Sequence, residues 1–463
     1  MSKLFDIPFG GATVQAALPE RTFAVPNTVM PKLQPAADLE VSINQVLAQP
    51  LGSPCIRDLV EPGARVTIAF DDPTVPSFGP FRRLAMLAAL RELDSAGVPF
   101  ENVTAICANS LHRKFRKQEL AVILGDDLVE RFGPRLLCHD AEDADGLVYF
   151  GKTHSGYDVE INRYAVESGL TIYITAAQNR GFSGGWKSVC VGLSTYRSIR
   201  HHHTPDGMSM SVKDNRMHRV LNEMAVLFES KAPSIQFKIE AIEAGPFQTA
   251  QVFAGNTWTV REAVLDVLEQ QFPARRDLSD TLFDVLIYGV PDWSPYAIFA
   301  SMNPILTLLS SGLGYLGGTV QALGKPGCTC IMVTPCPNEW DDVHHPSYRD
   351  VWENVLPHTC DPYAIEAQYS ERYARHERYI DMYRNGHAFH PIHGVFATQP
   401  LRRLSHVGRV IVAGAQDATV PKHLGFTAAK DVAEALAMCN ELHGPDFSIA
   451  YAQHPAAPTK LAM

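Results

Sequence analysis

Two stretches of the chain gather residue types that do chemistry. The first is Gly181-Phe182-Ser183-Gly184-Gly185-Trp186-Lys187-Ser188. Its glycines let backbone approach a ligand closely and turn N–H groups toward an anion. It is not a P-loop, because that motif needs glycine directly before the lysine so that the backbone can wrap phosphates, and Trp186 stands there. Lys187 then has three readings: a point charge for a phosphate, an amine used covalently, or a plain surface lysine after a tight turn. The second stretch is His201-His202-His203. Adjacent side chains on a helix or strand diverge, so one or two of these at most can hold the same ion, and a solvated run is the other reading. His112 is a better acid/base candidate, since imidazole titrates near neutrality. His387, His390 and His393 form a further, unevenly spaced cluster that fits neither H-E-x-x-H nor a zinc ribbon and reads as a loop.

The elements that must position these groups are short Val- and Ile-rich runs separated by helical patterns. Arg65–Phe70 reads as a buried strand, Phe81–Asp94 as a helix and Val103–Ala108 as the next strand. That succession is a βαβ unit, hence a parallel sheet with a right-handed crossover. Leu170–Thr175 adds a further strand. A second set comprises Asp284–Tyr288, Thr329–Val333 and Arg409–Ala413, with a helix predicted over Thr427–Leu442, capped by Thr427 and stopped by Gly444. The polar stretch Pro273–Asp280 marks a boundary between an N-terminal α/β domain, 1–272, and a C-terminal α/β domain, 273–463, with the active site expected in the cleft between them. Ligands of open α/β sheets sit beyond the carboxyl ends of the strands. Beyond the first strand come Asp71-Asp72-Pro73-Thr74; beyond the second, Asn109-Ser110-Leu111-His112-Arg113-Lys114; beyond the third, the glycine loop and the three histidines.

Composition bounds the partners. A length of 463 residues points to two or three domains, and 46% hydrophobic residues supply sizeable cores. The net charge of −10 and pI near 6.0 argue against a nucleic-acid partner. The start, MSKLFDIPFGG, lacks the apolar run of a signal peptide, so a soluble cytoplasmic protein is expected. From Trp293 to Gly324 no acidic or basic side chain occurs, yet Ser301, Asn303, Pro304, Ser310 and Ser311 interrupt the run. It reads as chain buried inside protein and not as a membrane span, which needs about 20 predominantly apolar residues. The nine cysteines are scattered without a C-x-x-C pair, which suits reduced, mostly buried thiols.

The order FDDPT, ANSLHR, GYDVEINRYAVESGL, GFSGGWK and then His203, with the closing VPKHLGFTAAKDVAEALAM, resembles the lactate racemase family. Members of that family use a nickel-pincer nucleotide, a pyridinium mononucleotide (Ni(II)-pyridinium-3,5-bisthiocarboxylate mononucleotide) whose two sulfur-bearing arms and one ring carbon grip nickel. The resemblance implies that the N-terminal domain binds this cofactor. Lys187 would hold one arm covalently, His203 would supply the fourth nickel ligand, and Asp72, Thr74, Ser183, Gly184 and Gly185 would contact the nucleotide. His112 would be a catalytic acid/base. In the family's chemistry a histidine takes the substrate hydroxyl proton as the C2 hydrogen leaves as hydride, which returns on the other face. Enzymes that make the cofactor would be required as maturation partners.

The departures from that pattern are concentrated where lactate is held. Ala177 occupies the place of a second catalytic histidine, Val75 that of an arginine, and Ala297 and Ala300 those of a glutamine and a lysine. A 2-hydroxy acid other than lactate is therefore expected as substrate. An aldonate-like sugar acid would meet Asn303, Ser301 and Gln178; an aromatic acid would meet Trp186, Trp293 and Phe299. Arg180 is the first candidate for the carboxylate, since arginine binds it bidentately. His154, His202 and His390 are candidates for the second acid/base. Arg113 and Lys114 read as a phosphate-neutralising pair or a solvated basic turn. Two other functions stay open: a homologue that binds nickel or the cofactor without turnover, and a net oxidoreductase releasing the keto acid.

Overall fold

The computed structural model describes residues 2–25, 33–177, 184–207, 215–271 and 281–453. Along the chain the strands are β1 Ser2–Phe9, β2 Ala12–Pro19, β3 Phe23–Val25, β4 Val66–Asp71, β5 Val103–Ala108, β6 Leu136–Cys138, β7 Leu147–Lys152 and β8 Asp158–Asn162. They continue as β9 Leu170–Ala177, β10 Ile235–Gly245, β11 Gln248–Gly255, β12 Phe283–Gly289, β13 Gly324–Val333, β14 Val407–Ala413, β15 Thr427–Ala429 and β16 Ile449–Ala452.

Two compact units result, and neither is one unbroken stretch of chain. One lies within Met30–Pro273 and Ile380–His390; the other within Met1–Val29, Ala274–Tyr379 and Pro391–Ala462. The first unit holds a six-stranded sheet ordered β11-β10-β9-β4-β5-β6. All neighbours in it are parallel except β11, which runs antiparallel to β10. Central β4 and β9 are buried along their length, which is why they read as continuous apolar runs. The β7–β8 hairpin is a separate two-stranded sheet of this unit. The second unit holds a fully parallel sheet ordered β15-β14-β13-β12-β16-β3. Its core takes Phe5, Ile7, Ala16 and Leu18 from the β1–β2 hairpin against Val285, Ile331, Ile411 and Ile449. The first residues of the chain thus pack with strands more than 250 positions away.

The helix expected over Thr427–Leu442 is corrected. Thr427–Ala429 is a strand paired in parallel with Ile411–Ala413, and the helix runs Val432–His443. Asp431 is its cap, its side chain accepting from the Glu434 N–H, while Gly444 ends it at φ +83°. Sequence periodicity did not separate the two because Thr-Ala-Ala is compatible with either element, and pairing with β14 decided it.

The uncharged stretch is largely buried, with Ser301 and Gln321 exposed. Its centre, Ile305–Leu316, is a twelve-residue π-helical segment that buries Ile305, Leu306, Leu308, Leu309 and Leu313. Backbone carbonyls of this wide helix are taken by side chains: Tyr288 Oη donates to Gly312 O at 2.9 Å and Arg403 to Leu313 O at 2.6 Å. Among the described residues no helix is long and apolar enough to cross a membrane. All nine cysteines are free thiols, six of them buried.

Candidate functional site

The carboxyl ends of β4, β5 and β9 carry the chemistry of the first unit. Asp72 follows β4 directly and is buried. Its Oδ1 accepts from the Thr74 N–H at 2.8 Å and from the Thr74 hydroxyl at 2.5 Å. Its Oδ2 lies 2.7 Å from His112 Nδ1. Burial opposes the charge on Asp72, but the His112 and Thr74 contacts outweigh it and hold the carboxyl below its usual range. An ionised carboxylate only accepts, so in neutral His112 the proton sits on Nδ1 and Nε2 presents a lone pair.

A tight turn after β5 aims His112. Asn109 Nδ2 donates to the carbonyls of His112 and His139 at 3.2 and 3.0 Å, and Ser110 adopts a left-handed φ of +53°. A non-glycine residue in that region costs energy and is found where the surroundings over-determine it. Here the Ser110 N–H is taken by Gly192 O at 2.9 Å. The imidazole of His112 is about one-fifth exposed and packs near Phe389, centroid to centroid 5.7 Å.

Below this turn His139 is wholly buried. It accepts at Nδ1 from Asn162 Nδ2 (3.0 Å) and donates from Nε2 to Ser194 O (2.9 Å), a neutral tautomer fixed from both sides. Burial pushes its pKa down to about 4.

After β9 the described chain resumes at Gly184, where φ is +82°, followed by Gly185 at +54°. A side chain at Gly184 would run into the Glu240 carboxylate. Lys187 opens the short helix Lys187–Cys190. Burial pushes its ammonium down to about 8, against the pull of the Asp71 and Asp72 carboxylates and with help from Arg261. About a tenth of a lysine so placed is the free amine at pH 7, far more than for an ordinary lysine. His203 is partly exposed; burial, then the charges of Lys187 and His112, push its pKa to about 3, so it is a neutral imidazole. Lys187, His203, His112 and Asp72 therefore act on one another electrostatically.

The other candidates are placed as follows. His201 faces the β7–β8 hairpin, where its Nε2 accepts from the Asp158 N–H at 3.0 Å. His202 is buried with Nδ1 2.8 Å from His203 Nδ1, while its Nε2 makes no hydrogen bond among the described residues. The three neighbours diverge as adjacent side chains must. His154 is exposed in the turn of the β7–β8 hairpin. His390 is buried, its Nε2 2.9 Å from Glu142 Oε1. Arg113 is neither solvated nor offered to a phosphate: it is buried and forks onto Glu119 at 2.9 and 2.7 Å. Lys114 donates to Asp140 and to the Arg384 carbonyl at 2.8 and 2.9 Å. Trp186 is buried against Trp258 and Phe228, a core side chain and not a ligand platform. Ala177 is packed with Ile242, Val260, Val264 and Leu268. Gln178, Arg180 and Ser183 lie outside the described residues. Among the described residues no group of three or more His, Cys, Asp or Glu could hold a metal ion.

Sequence reading missed the groups beneath the glycine loop. Lys238 and Glu240 stand two apart on β10, both buried, and Lys238 Nζ donates to Gly185 O at 2.7 Å. The available signal was a Lys-x-Glu pair alternating with Phe237, Ile239 and Ala241, which puts both charges on one face.

Fold and site together define an α/β protein with mainly parallel sheets, its lysine, histidines and carboxylate gathered past the ends of β4, β5 and β9. Residues 9–215 match the model of the lactate racemase N-terminal domain. The chain is 24% identical over 262 residues to a lactate racemase of Thermoanaerobacterium thermosaccharolyticum, covering 54% of this chain and 59% of that protein. It is 24% identical over 275 residues to a lactate racemase of Lactiplantibacillus plantarum, covering 57% and 62%. The chain thus spans about three-fifths of the length of these curated relatives. The lactate racemase apoprotein structure from T. thermosaccharolyticum shares the fold over 97% of this chain and 98% of its own, with a TM-score of 0.67 at 19% identity. Residues 9–215 thus resemble a lactate racemase N-terminal domain, and the chain shares the lactate racemase fold.

Proposed function

We propose that this protein is a racemase or epimerase that inverts C2 of a 2-hydroxy acid other than lactate, working with a nickel-pincer nucleotide. The observation that carries the reading is the set Lys187, His203, His112 and Asp72: a partly neutral amine, a neutral imidazole and a histidine whose tautomer is held by a carboxylate. That donor set fits the cofactor. Lys187 would hold it through an amide-type link, and His203 would give nickel its protein ligand, since a neutral imidazole suits nickel. When bound, the group supplies the hydride-accepting and hydride-returning chemistry.

The chain's own residues do the rest. His112 Nε2 takes the substrate hydroxyl proton, and Asp72 stabilises the imidazolium that results, as a buried carboxylate orients a catalytic histidine elsewhere. Thr74 keeps Asp72 in place with two hydrogen bonds. Asp72 and Thr74 then support His112 as well as lying next to the nucleotide. A non-lactate substrate is supported by Val75, Ala177, Ala297 and Ala300 at places where lactate racemases hold their substrate; Ala177 and Ala297 are buried apolar positions here. The proposed substrate class is a polyhydroxy or an aromatic 2-hydroxy acid; Asn303 itself is buried, its Oδ1 accepting from the Leu306 N–H at 2.9 Å. The proposed setting is the cytoplasm, with the cofactor-making enzymes as maturation partners.

The test is intact mass and nickel content after co-expression with those enzymes. Wild type should carry a nickel-containing adduct, and Lys187→Ala should carry neither adduct nor stoichiometric nickel. A wild-type protein without nickel under those conditions overturns the cofactor reading. The loaded protein, screened by chiral separation against aliphatic, aromatic and polyhydroxy 2-hydroxy acids, should interconvert the C2 epimers of one class. Keto acid released in excess over enzyme would mark a net oxidoreductase instead, and no exchange of the C2 hydrogen with any class would mark a binding homologue.

A further inference from the structure

The loop that carries Lys187 rests on charges taken out of water. On β10, Lys238 and Glu240 are about 1% and 0% exposed, and their charged atoms stand 3.6 Å apart. Lys238 Nζ donates to Gly185 O at 2.7 Å and is hydrogen-bonded to the Ser188 hydroxyl, which itself donates to Gly185 O at 3.0 Å. The Gly185 N–H points to Glu240 Oε2 at 3.4 Å. The carboxylate also lies against Gly184, where a Cβ would run into it at a φ of +82°, and among the described residues the buried Glu240 Oε1 has no hydrogen-bond partner. Lys238 Nζ lies 5.1 Å from the centre of the Tyr173 ring on the neighbouring strand β9.

A buried ion pair is seldom kept for stability, because desolvating two charges costs about as much as their attraction returns. This one holds the N–H and the C=O of Gly185 and the Ser188 side chain, the residues that flank Lys187 two before and one after. We infer that Lys238 and Glu240 are positioning residues: they fix the 184–188 turn so that the Lys187 amine is held in one reactive orientation. The inference rests on the reading of Lys187 as the attachment point, but it concerns the protein before the cofactor is attached.

The experiment labels the full-length apo protein with trace acetic anhydride across a pH series and reads acetylation at Lys187 by peptide mass, with exposed Lys3 as internal reference. Two variants are used. Lys238→Met keeps the aliphatic stem, and Lys238→Met/Glu240→Leu leaves no unpaired charge behind, the change most compatible with folding. In wild type, Lys187 labelling should rise with a midpoint near pH 8. In either variant that keeps the wild-type Tm, Lys187 labelling relative to Lys3 should fall about tenfold or more, or its midpoint should move toward the ordinary lysine value, as the amine loses its orientation or its burial. Unchanged rate and midpoint in a folded variant overturn the inference. The cofactor reading fails by a separate outcome, the absence of nickel from co-expressed wild type, which this labelling does not read.

Discussion

A fully buried carboxylate survives only where donors surround it, and at Asp72 both oxygens are engaged, one by Thr74 and the other by His112. The contact with Asp72 Oδ2 sets the tautomer of neutral His112, with the proton on Nδ1. His139, one layer below, shows the opposite economy: a neutral imidazole locked between Asn162 and Ser194. Its folded pKa is about 4 against an ordinary 6.5. The unfolded chain therefore binds this proton first as pH falls, so the stabilisation is complete above about 6.5 and is lost between about 6.5 and 4, amounting to about 3 kcal/mol. Urea unfolding at pH 7 and at pH 4.5 should show that loss in wild type, and His139→Gln, less stable at pH 7, should show a smaller one. An equal acid loss in the variant would assign the effect to other groups.

At the level of elements, the site depends on where strands stop. The strand Val103–Ala108 is legible in sequence residue for residue, and β4 and β9 are legible to within one or two residues, because buried parallel strands are continuous Val/Ile runs closed by polar turns. The segment Thr427–Leu442 was not, because short Ala- and Thr-rich chain carries little periodicity. The corrected boundary makes a prediction by its cap. Asp431→Ala should lower stability by about 1 kcal/mol, while Thr427→Ala should cost less than about 0.5 kcal/mol, both read by chemical denaturation. A larger loss at Thr427 would restore the earlier boundary. The Lys238–Glu240 pair belongs at this scale too: alternation along β10 puts both charges on one face, but nothing in the sequence says that a glycine turn lies across it.

For the whole molecule, the division of the chain matters more than its length. Sequence patterning set one boundary at 272/273; the compact units are instead assembled from interleaved stretches, with the first 25 residues completing the second unit's sheet and core. Phe23–Val25 pairs with β16, and Ile7 and Leu18 are wholly buried in the core beside β12 and β13. Ile7→Ala should therefore cost about 2–5 kcal/mol, as in other cores where the site cannot collapse. A fragment of residues 273–463 should melt without a cooperative transition and bind a hydrophobic dye, whereas the full chain should not. A cooperative melt from that fragment would show that the N-terminal hairpin is dispensable.

The sequence by itself determined the fold class, the turns past β4 and β5 that present Asp72 and His112, the glycine turn before Lys187, and the resemblance to lactate racemases. Each of these is local: a continuous apolar run, a polar turn or a spaced motif is written in neighbouring residues. Only the tertiary structure decided that Asp72 turns to His112, that Arg113 is spent on Glu119, that Trp186 is core, and that Lys238 and Glu240 lie under the turn that carries Lys187. Partners 40 to 55 positions apart meet because parallel strands bring their carboxyl ends to one edge, and hydrophobic periodicity records which side of a strand is buried without recording what covers it.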